Sequence, residues 1–543
     1  MRSGTRIPST ADDSLDPAAS ARAGNLVWAA AFALTLVHIV LAWLLRNQIG
    51  MGNDDAIYLQ LSHSLRSLSY REEFLVGAPW HSQYPPIYPL FLALVSTITG
   101  DAVEVPLAAT VLLSAGALFL VFDAVRRVWS PMLALMVLAV SAVNLFLLEN
   151  AGGIASEAPY MALSALSLWF MARRPDTKIS VGMAGAAAIA AALTRSVGVM
   201  LVAALVLLWL VEHHYRRALI LGATAALLVG SWLAWTLVSP DKEAGRSYVG
   251  DASQIIGKPA KSFEKNASSI SGAHLARFKR NTRDYLTASL PFRMQVPTIS
   301  GTLVDNIIWL LLFAACSVLG AIMIWLSAWR SVVVYLLLYM GLLVVWLWPV
   351  ARFLDPILPF VFLTLLTGAG TLGKRLFPLA SWVPALALTL IITASSLVQL
   401  APVLASAVSC DRLARLQSTG CFNPQERAWL TAALYARERT PADTRFLSSK
   451  EGAFGYHSDR KLVAIGSVLG DGSVSIIGRM KDANVSYIVI GTGTGREDDL
   501  RKALFPVCDR LQVVQFFPPQ AAILKVLPGS QTDHARSACP FLA

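Results

Sequence analysis

The chain has 543 residues, of which 55% are hydrophobic and only 15% charged. A soluble protein carries about 25% charged residues, so this composition excludes an ordinary water-soluble domain over most of the length. The formal net charge of +11 resembles a nucleic-acid signal, but in a polytopic membrane chain basic residues first serve orientation, and no nucleic acid is expected as partner.

Residues 1–24 are polar and rich in Ser, Ala, Asp and Arg, which reads as a disordered cytoplasmic tail. The apolar run 26–45 is too long for a typical signal-peptide core and lacks a small-x-small cleavage site, so it reads as a retained span. Further runs long enough to cross a bilayer recur at 106–125, 132–148, 155–172, 179–194, 196–211, 218–238, 303–326, 332–349, 353–372 and 379–399. That gives about eleven candidate spans.

The short loops alternate in charge. Arg126-Arg127, Arg173-Arg174 with Lys178, Arg216-Arg217, Arg330 and Lys374-Arg375 fall on one side, together with Arg2, Arg6 and Arg22. The positive-inside rule makes that side cytoplasmic. The N-terminus is then cytoplasmic, and the loops 46–105 and 239–302 and the region 401–543 are external. The expected location is the bacterial cytoplasmic (inner) membrane, with the C-terminal domain periplasmic or extracellular. Every cytoplasmic loop is short, so no cytosolic domain exists to hold ATP, GTP or a nucleotide sugar.

The chain changes character after Ala401-Pro402 and reads as a small α/β domain over 401–543. Pro424–Glu438 and Leu500–Phe505 have helical spacing. Thr444–Leu447, Lys461–Ile465, Ser486–Ile490, Gln512–Phe516 and Ala521–Leu527 read as strands. Gly491-Thr492-Gly493-Thr494-Gly495 does not match the dinucleotide spacing and reads as a plain strand-to-helix loop. Cys316 sits alone in a span as a packed thiol. Cys410, Cys421, Cys508 and Cys539 are external, and proximity favours the pairs Cys410–Cys421 and Cys508–Cys539, with four free thiols as the alternative.

Asp54 and Asp55 lie in Gly50-Met51-Gly52-Asn53-Asp54-Asp55-Ala56-Ile57-Tyr58, just beyond the first span. Adjacent carboxylates at a membrane surface are costly unless something uses them. A carboxylate there can take a proton from a hydroxyl or hold a divalent cation, Mg or Mn. The plainer account is a helix cap, with Asn53 or Asp54 capping a helix that starts near Ala56. Glu157 opens the fourth span on the outer side and reads as functional, whereas Glu149, at the outer end of the third, reads as a solvated loop residue.

Arg195 and Arg352 occupy outer turns, where a guanidinium fork suits phosphate oxygens; interfacial snorkelling is the alternative. The loop 239–302 carries twice as many basic as acidic residues and suits anionic lipid headgroups. Its Asn266-Ala267-Ser268 sequon matters only in a glycosylating host. No Cys/His pattern indicates zinc.

Three of these places together resemble the GT-C class of polytopic glycosyltransferases, in the branch of bacterial aminoarabinose transferases and protein O-mannosyltransferases. Asp54-Asp55-Ala56-Ile57-Tyr58 is similar to that family's acidic pair followed by an aromatic, which implies Asp54 as the catalytic base with Asp55 beside it. Tyr84-Pro85-Pro86-Ile87-Tyr88-Pro89-Leu90 resembles its Pro-Pro element before a short apolar helix, so 85–99 is expected as a partly embedded external helix. Glu157 falls at its acidic position on the fourth span, in an acceptor-positioning or metal-assisting role. Thr194-Arg195 and Arg352-Phe353-Leu354-Asp355-Pro356 resemble its remaining turns and imply donor-phosphate contacts. We place Tyr58, Tyr84, Tyr88 and His81 in the substrate cavity.

The fold this implies is a GT-C-like polytopic α-helical membrane protein with a C-terminal external α/β domain. The donor implied is a polyprenyl-phosphate monosaccharide, and the acceptor a hydroxyl or phosphate on a glycolipid, glycan or protein. The chemistry agrees. No nucleotide sugars reach the outer compartment, so an activated sugar arrives on a lipid. Its anionic phosphate leaving group suits Arg, and attack opposite the phosphate inverts the anomeric centre. A secondary transporter or flippase of a lipid-linked or anionic substrate is the main alternative, though the halves show no internal repeat. An assembly or sensor protein is the second.

Overall fold

The structure is a computed structural model that describes residues 17–46, 49–100, 102–173, 177–238, 270–297, 303–347, 349–409, 422–469, 475–491, 495–527 and 539–542. Every apolar run named above falls on helical structure, because in hydrocarbon a helix satisfies its own backbone polar groups. In chain order these are α1 (Pro17–Leu44), α2 (Asp54–Arg66), α3 (Ile87–Thr99), α4 (Glu104–Val128), α5 (Pro131–Ala142), α6 (Leu145–Ala151), α7 (Glu157–Arg173), α8 (Lys178–Ala192), α9 (Val199–Val211) and α10 (Tyr215–Val238). They continue with α11 (Ile270–Asp284), α12 (Leu290–Arg293), α13 (Leu303–Trp325), α14 (Ser331–Val345), α15 (Leu358–Leu376) and α16 (Val383–Ser409). Five described helices are long and apolar enough to cross a membrane, or six if α5 and α6 form one bent span.

Two boundaries differ from the sequence reading. The run 132–148 is not one straight helix: α5 and α6 meet at 68°. Asn144 sits at the bend, where its side chain accepts from the Leu147 amide at 3.1 Å and donates to the Arg293 carbonyl at 2.9 Å. Gln295 Oε1 takes the Leu145 amide at 2.9 Å. One side chain from a distant segment, Gln295, and the local Asn144 thus satisfy backbone amides that the bend frees. Helix α16 does not stop near Ala401-Pro402 either; it runs through Pro402 to Ser409.

The membrane body is packed by small residues and buried aromatics. Helices α13 and α15 cross so closely that a β-carbon on Gly320 would collide with the Thr364 carbonyl, the close approach that small residues permit between apolar helices. Tyr160 and Tyr335 share a hydrogen bond of 2.8 Å in the interior, and Trp329 Nε1 donates to the Leu168 carbonyl at 2.8 Å.

The C-terminal region carries a five-stranded sheet: β1 (Arg445–Ser448), β2 (Lys461–Leu462), β3 (Tyr487–Ile490), β4 (Leu511–Phe517) and β5 (Ala521–Val526), in the order β2-β1-β3-β5-β4. Strand β1 runs parallel to β2 and β3, and β5 runs antiparallel to β3 and β4. Helix α17 (Pro424–Arg439) starts with a capping box between Asn423 and Glu426. Helix α18 (Glu451–Ser458) was not foreseen. Cys508 and Cys539 form a disulfide, and Cys316 is a buried free thiol. Cys410, Cys421, Asn266, residues 1–16 and the centre of the Gly491–Gly495 loop lie outside the described residues.

The sheet docks on the segment between α1 and α3. The Val76 amide donates to the Leu462 carbonyl, and the Leu462 amide to that of Phe74, both at 2.8 Å, so this segment extends the sheet beyond β2. Helix α18 covers the start of α2. The Ala453 amide donates to Asn53 Oδ1 at 3.2 Å, and Gln60 Nε2 to the Gly452 carbonyl at 2.9 Å. Met51, Ile57, Phe74 and Leu75 share one apolar cluster with Trp429, Phe454 and Leu462.

Candidate active site

Asp54 is the first residue of α2. The chain reaches it through two left-handed residues, Gly50 (φ 83°) and Asn53 (φ 73°). Asn53 occupies the cap position without capping the helix, since its oxygen takes the Ala453 amide instead, so the plainer account of Asn53 as a helix cap does not hold. Asp55 closes the turn: its Oδ2 accepts from the Gly50 amide at 2.7 Å and its Oδ1 from the Ala56 amide at 2.8 Å. Asp55 is not among the residues that line the neighbouring cavity, and Asp54 is.

That cavity has a volume of about 270 Å³. Asp54, Tyr58, Tyr84, Ser156, Glu157, Arg195 and Arg352 form its polar side. Met200, Leu233, Leu342, Leu343 and Trp346, from α9, α10 and the end of α14, form an apolar wall. It thus meets one requirement of a small-molecule site, a few polar groups converging in an apolar setting.

The polar side is a chain of alternating charges. Arg352 Nη2 lies 2.6 Å from Asp54 Oδ2, and Arg352 Nε lies 3.9 Å from Glu157 Oε1. Arg195 Nη1 lies 2.6 Å from Glu157 Oε1 and donates to Ser156 Oγ at 2.9 Å. Tyr84 donates its hydroxyl to Asp54 Oδ1 at 2.7 Å, and Tyr58 to Ser156 Oγ at 3.0 Å. The two pairs differ in burial. Arg195 and Glu157 are 12% and 6% exposed, whereas Arg352 and Asp54 are 48% and 30% exposed.

The two adjacent aspartates have opposite electrostatics. Burial pushes the Asp54 carboxyl up, but the Arg352 guanidinium, the Tyr84 hydroxyl and Arg195 more than offset it and hold Asp54 below its ordinary value. Burial dominates at Asp55 and raises it to about 6. Asp54 is therefore the more acidic of the two carboxylates.

The other sequence-derived residues fall as follows. Tyr88 stands behind the cavity, its ring centroid 4.9 Å from that of Tyr58 and its hydroxyl 3.4 Å from Thr110 Oγ1. His81 is buried under Tyr84 and does not line the cavity. Glu149 lies half-buried on α6 rather than in a solvated loop. Sequence reasoning missed Ser156, which joins Tyr58 to Arg195.

It also missed the role of Asp355, whose Oδ2 takes Asn150 Nδ2 at 2.7 Å and lies 3.3 Å from Arg293 Nη1. Asp355 stood inside the Arg352–Pro356 motif, but nothing in the sequence pointed to Asn150 or Arg293. The described part of the basic loop braces the approach to Arg352: Asn281 Nδ2 donates to the Trp346 carbonyl at 2.6 Å, and Arg280 Nη2 to that of Leu347 at 3.3 Å. Lys242, Arg246, Lys258, Lys261 and Lys265 lie outside the described residues. Among the described residues no group of three or more His, Cys, Asp or Glu could hold a metal ion.

Comparison with known proteins bears on the same region. Residues 83–241 match the family described as dolichyl-phosphate-mannose-protein mannosyltransferase. No curated protein matches the sequence. Among solved structures, ArnT from Cupriavidus metallidurans bound to undecaprenyl phosphate is similar with a TM-score of 0.53 at 12% identity, over 92% of this chain and 98% of that one. The Archaeoglobus fulgidus oligosaccharyltransferase tethered to an acceptor peptide is similar with a TM-score of 0.51 at 12% identity, over 93% of this chain and 74% of that one. The family match and the shared fold support a multi-pass membrane glycosyltransferase of the GT-C class.

Proposed function

We propose that the protein transfers a monosaccharide from a polyprenyl-phosphate carrier to an acceptor at the outer face of the bacterial inner membrane, with Asp54 as general base. The observation that carries this reading is the contact between Arg352 and Asp54 Oδ2, which sets a guanidinium suited to phosphate directly beside the only aspartate that lines this cavity. ArnT, which shares the fold, was solved with undecaprenyl phosphate.

In this mechanism the donor phosphate draws Arg352 away from Asp54 and holds it as a two-pronged fork. Arg195 stays on Glu157 and adds positive charge nearby. Asp54 Oδ1 remains anchored by Tyr84 while Oδ2 becomes free to accept the proton of the acceptor hydroxyl. The acceptor oxygen bonds to the anomeric carbon as the carbon–phosphate-oxygen bond breaks on the opposite face. The sugar configuration inverts, the proton ends on Asp54, and the lipid phosphate leaves with its charge balanced by Arg352. The apolar wall around Leu233, Leu342 and Leu343 receives the first part of the lipid. The body 25–400 would supply the catalytic chamber and the external domain 401–543 would cover its entrance.

The test is comparative mass spectrometry of envelope glycolipids, glycans and glycoproteins from a deletion strain carrying either the wild-type or the Asp54→Asn gene. The reading expects one glycoconjugate to be restored by wild type only. Equal restoration by both genes refutes Asp54 as base, and restoration of a missing uptake activity instead would favour a transporter.

A further inference from the structure

Behind Asp54 lies a buried relay that the transfer chemistry itself does not touch. Glu72 Oε1 and His81 Nδ1 are 2.7 Å apart, with the histidine side chain 1% exposed. His81 Nε2 accepts from the Tyr84 amide at 2.7 Å. The accepting nitrogen carries no proton, so Nδ1 carries it and donates to Glu72; the carboxylate thereby fixes the tautomer. The imidazole also stacks on the Tyr84 ring, with centroids 5.2 Å apart and planes 29° apart. Tyr70 donates its hydroxyl to the Tyr84 carbonyl at 2.8 Å, and Trp235 Nε1 donates to the His81 carbonyl at 3.2 Å. Beyond Tyr84, Pro85 and Pro86 restrict the backbone further. Tyr84 is thus held at its amide, its carbonyl, its ring face and its following peptide. The atom it delivers is the hydroxyl that donates to Asp54 Oδ1.

We propose that Glu72, His81 and Tyr84 form a positioning relay that anchors one oxygen of Asp54, so that the other faces the acceptor. This rests on the reading of Asp54 as base. A carboxylate rotates about its last bond, and a base held at one oxygen presents the second in a fixed direction. His81 is a positioning residue here, not a wall of the cavity, and it acts only through Tyr84.

The experiment is a double-mutant cycle on the full-length protein in lipid nanodiscs, with undecaprenyl-phosphate mannose and undecaprenyl-phosphate aminoarabinose as donors, a membrane extract as acceptor source and liberated undecaprenyl phosphate as the readout. Tyr84→Phe deletes a single oxygen and should lower kcat by about tenfold or more, the size of a lost hydrogen bond to a charged group, while the Kd for undecaprenyl phosphate stays within about twofold. His81→Phe keeps a ring against Tyr84 and should lower kcat comparably. In the Tyr84→Phe background it should cost nothing further, because coupled residues are not additive. His81→Gln supplies an amide oxygen for the Tyr84 amide and an amide N–H for Glu72, and should recover most of the loss.

Additive losses, or an unchanged kcat in Tyr84→Phe, would overturn the relay. A second readout needs no turnover. The infrared titration of the Asp54 carboxyl, taken as the difference from Asp54→Asn, should move to higher pH in both single variants and no further in the double. If wild type consumes neither donor while this titration behaves as stated, the transferase reading fails and the relay stands; an unmoved titration refutes the relay on its own.

Discussion

Replacing Asp54 by Asn should have two opposite effects, and their combination is specific to the proposed exchange of Arg352. The Arg352–Asp54 pair is 2.6 Å long, but its members are 48% and 30% exposed, so water screens it and its net worth is about 0.2–1 kcal/mol. The donor phosphate competes with Asp54 for that guanidinium. Removing the Asp54 charge therefore returns this energy to phosphate binding and tightens undecaprenyl phosphate by about 1.4- to fivefold in Kd. It also removes a like charge from beside the incoming anion, which acts in the same direction. Transfer should fall by about 10²–10⁴-fold, the usual loss of a general base. Isothermal titration or fluorescence competition on wild type and Asp54→Asn in nanodiscs gives the first number. Weakened binding in Asp54→Asn would refute the competition between carboxylate and phosphate for Arg352.

The two arginines should respond differently to truncation. Arg352→Ala should weaken undecaprenyl phosphate by about ten- to a hundredfold with little change in thermal stability, and Arg352→Lys should recover only part because it keeps charge but loses the fork. Arg195→Ala leaves Glu157, which is 6% exposed, with only the more distant Arg352 at 3.9 Å, and should cost up to about 3–5 kcal/mol of stability, seen as a lowered Tm in detergent. Asp55 predicts a pH effect of defined sign. Its folded pKa is raised from 3.8 to about 6, so between those values the folded protein holds the extra proton. Its contribution to stability is then greatest at the acid end and falls as pH rises towards about 6, and Asp55→Asn should remove this slope from a plot of Tm against pH. Cysteine labelling from outside intact cells should reach positions introduced on the exposed face of α17 but none in the Arg126-Arg127 loop, as the positive-inside reading requires; the reverse pattern would invert the topology.

The helices were legible because each apolar run is long enough to show itself, whatever packs around it. The strands were legible as short apolar runs between turn residues, β2 included, although β2 pairs over only Lys461–Leu462 of the expected run. Helix α18 was not, because Gly452 and Gly455 within eight residues lower its propensity. Those glycines are there for contact: a β-carbon on Gly452 would collide with Ile57, and one on Gly455 would lie 2.7 Å from Phe74. The bend between α5 and α6 escaped for a related reason, since the groups that satisfy it, Arg293 and Gln295, are about 150 residues away in sequence.

Asp54, Glu157, Arg195 and Arg352 stood out individually as charges at the ends of apolar runs, and the structure brings the four together. Their pairing had no sequence signature, because Asp54 and Arg352 are 298 residues apart. The residues themselves did not separate Asp55 from Asp54; the family resemblance alone favoured Asp54. Only the turn through Gly50 and Asn53 separates them, giving one carboxylate to the cavity and the other to backbone amides. His81 was placed in the cavity, but the structure sets it behind Tyr84, and its partner Glu72 lies nine residues away with no periodic relation to it.

The most direct measurement is donor turnover by the purified full-length protein in nanodiscs. Undecaprenyl-phosphate mannose and undecaprenyl-phosphate aminoarabinose are supplied in turn with a membrane extract as acceptor source, and liberated undecaprenyl phosphate and sugar-bearing product are counted by mass spectrometry. The account predicts that wild type releases one undecaprenyl phosphate for each sugar transferred from at least one donor, and that Asp54→Asn binds undecaprenyl phosphate yet releases almost none from the donor. Turnover that persists at wild-type rate in Asp54→Asn, or a wild-type protein that binds neither undecaprenyl phosphate nor either donor, would contradict it.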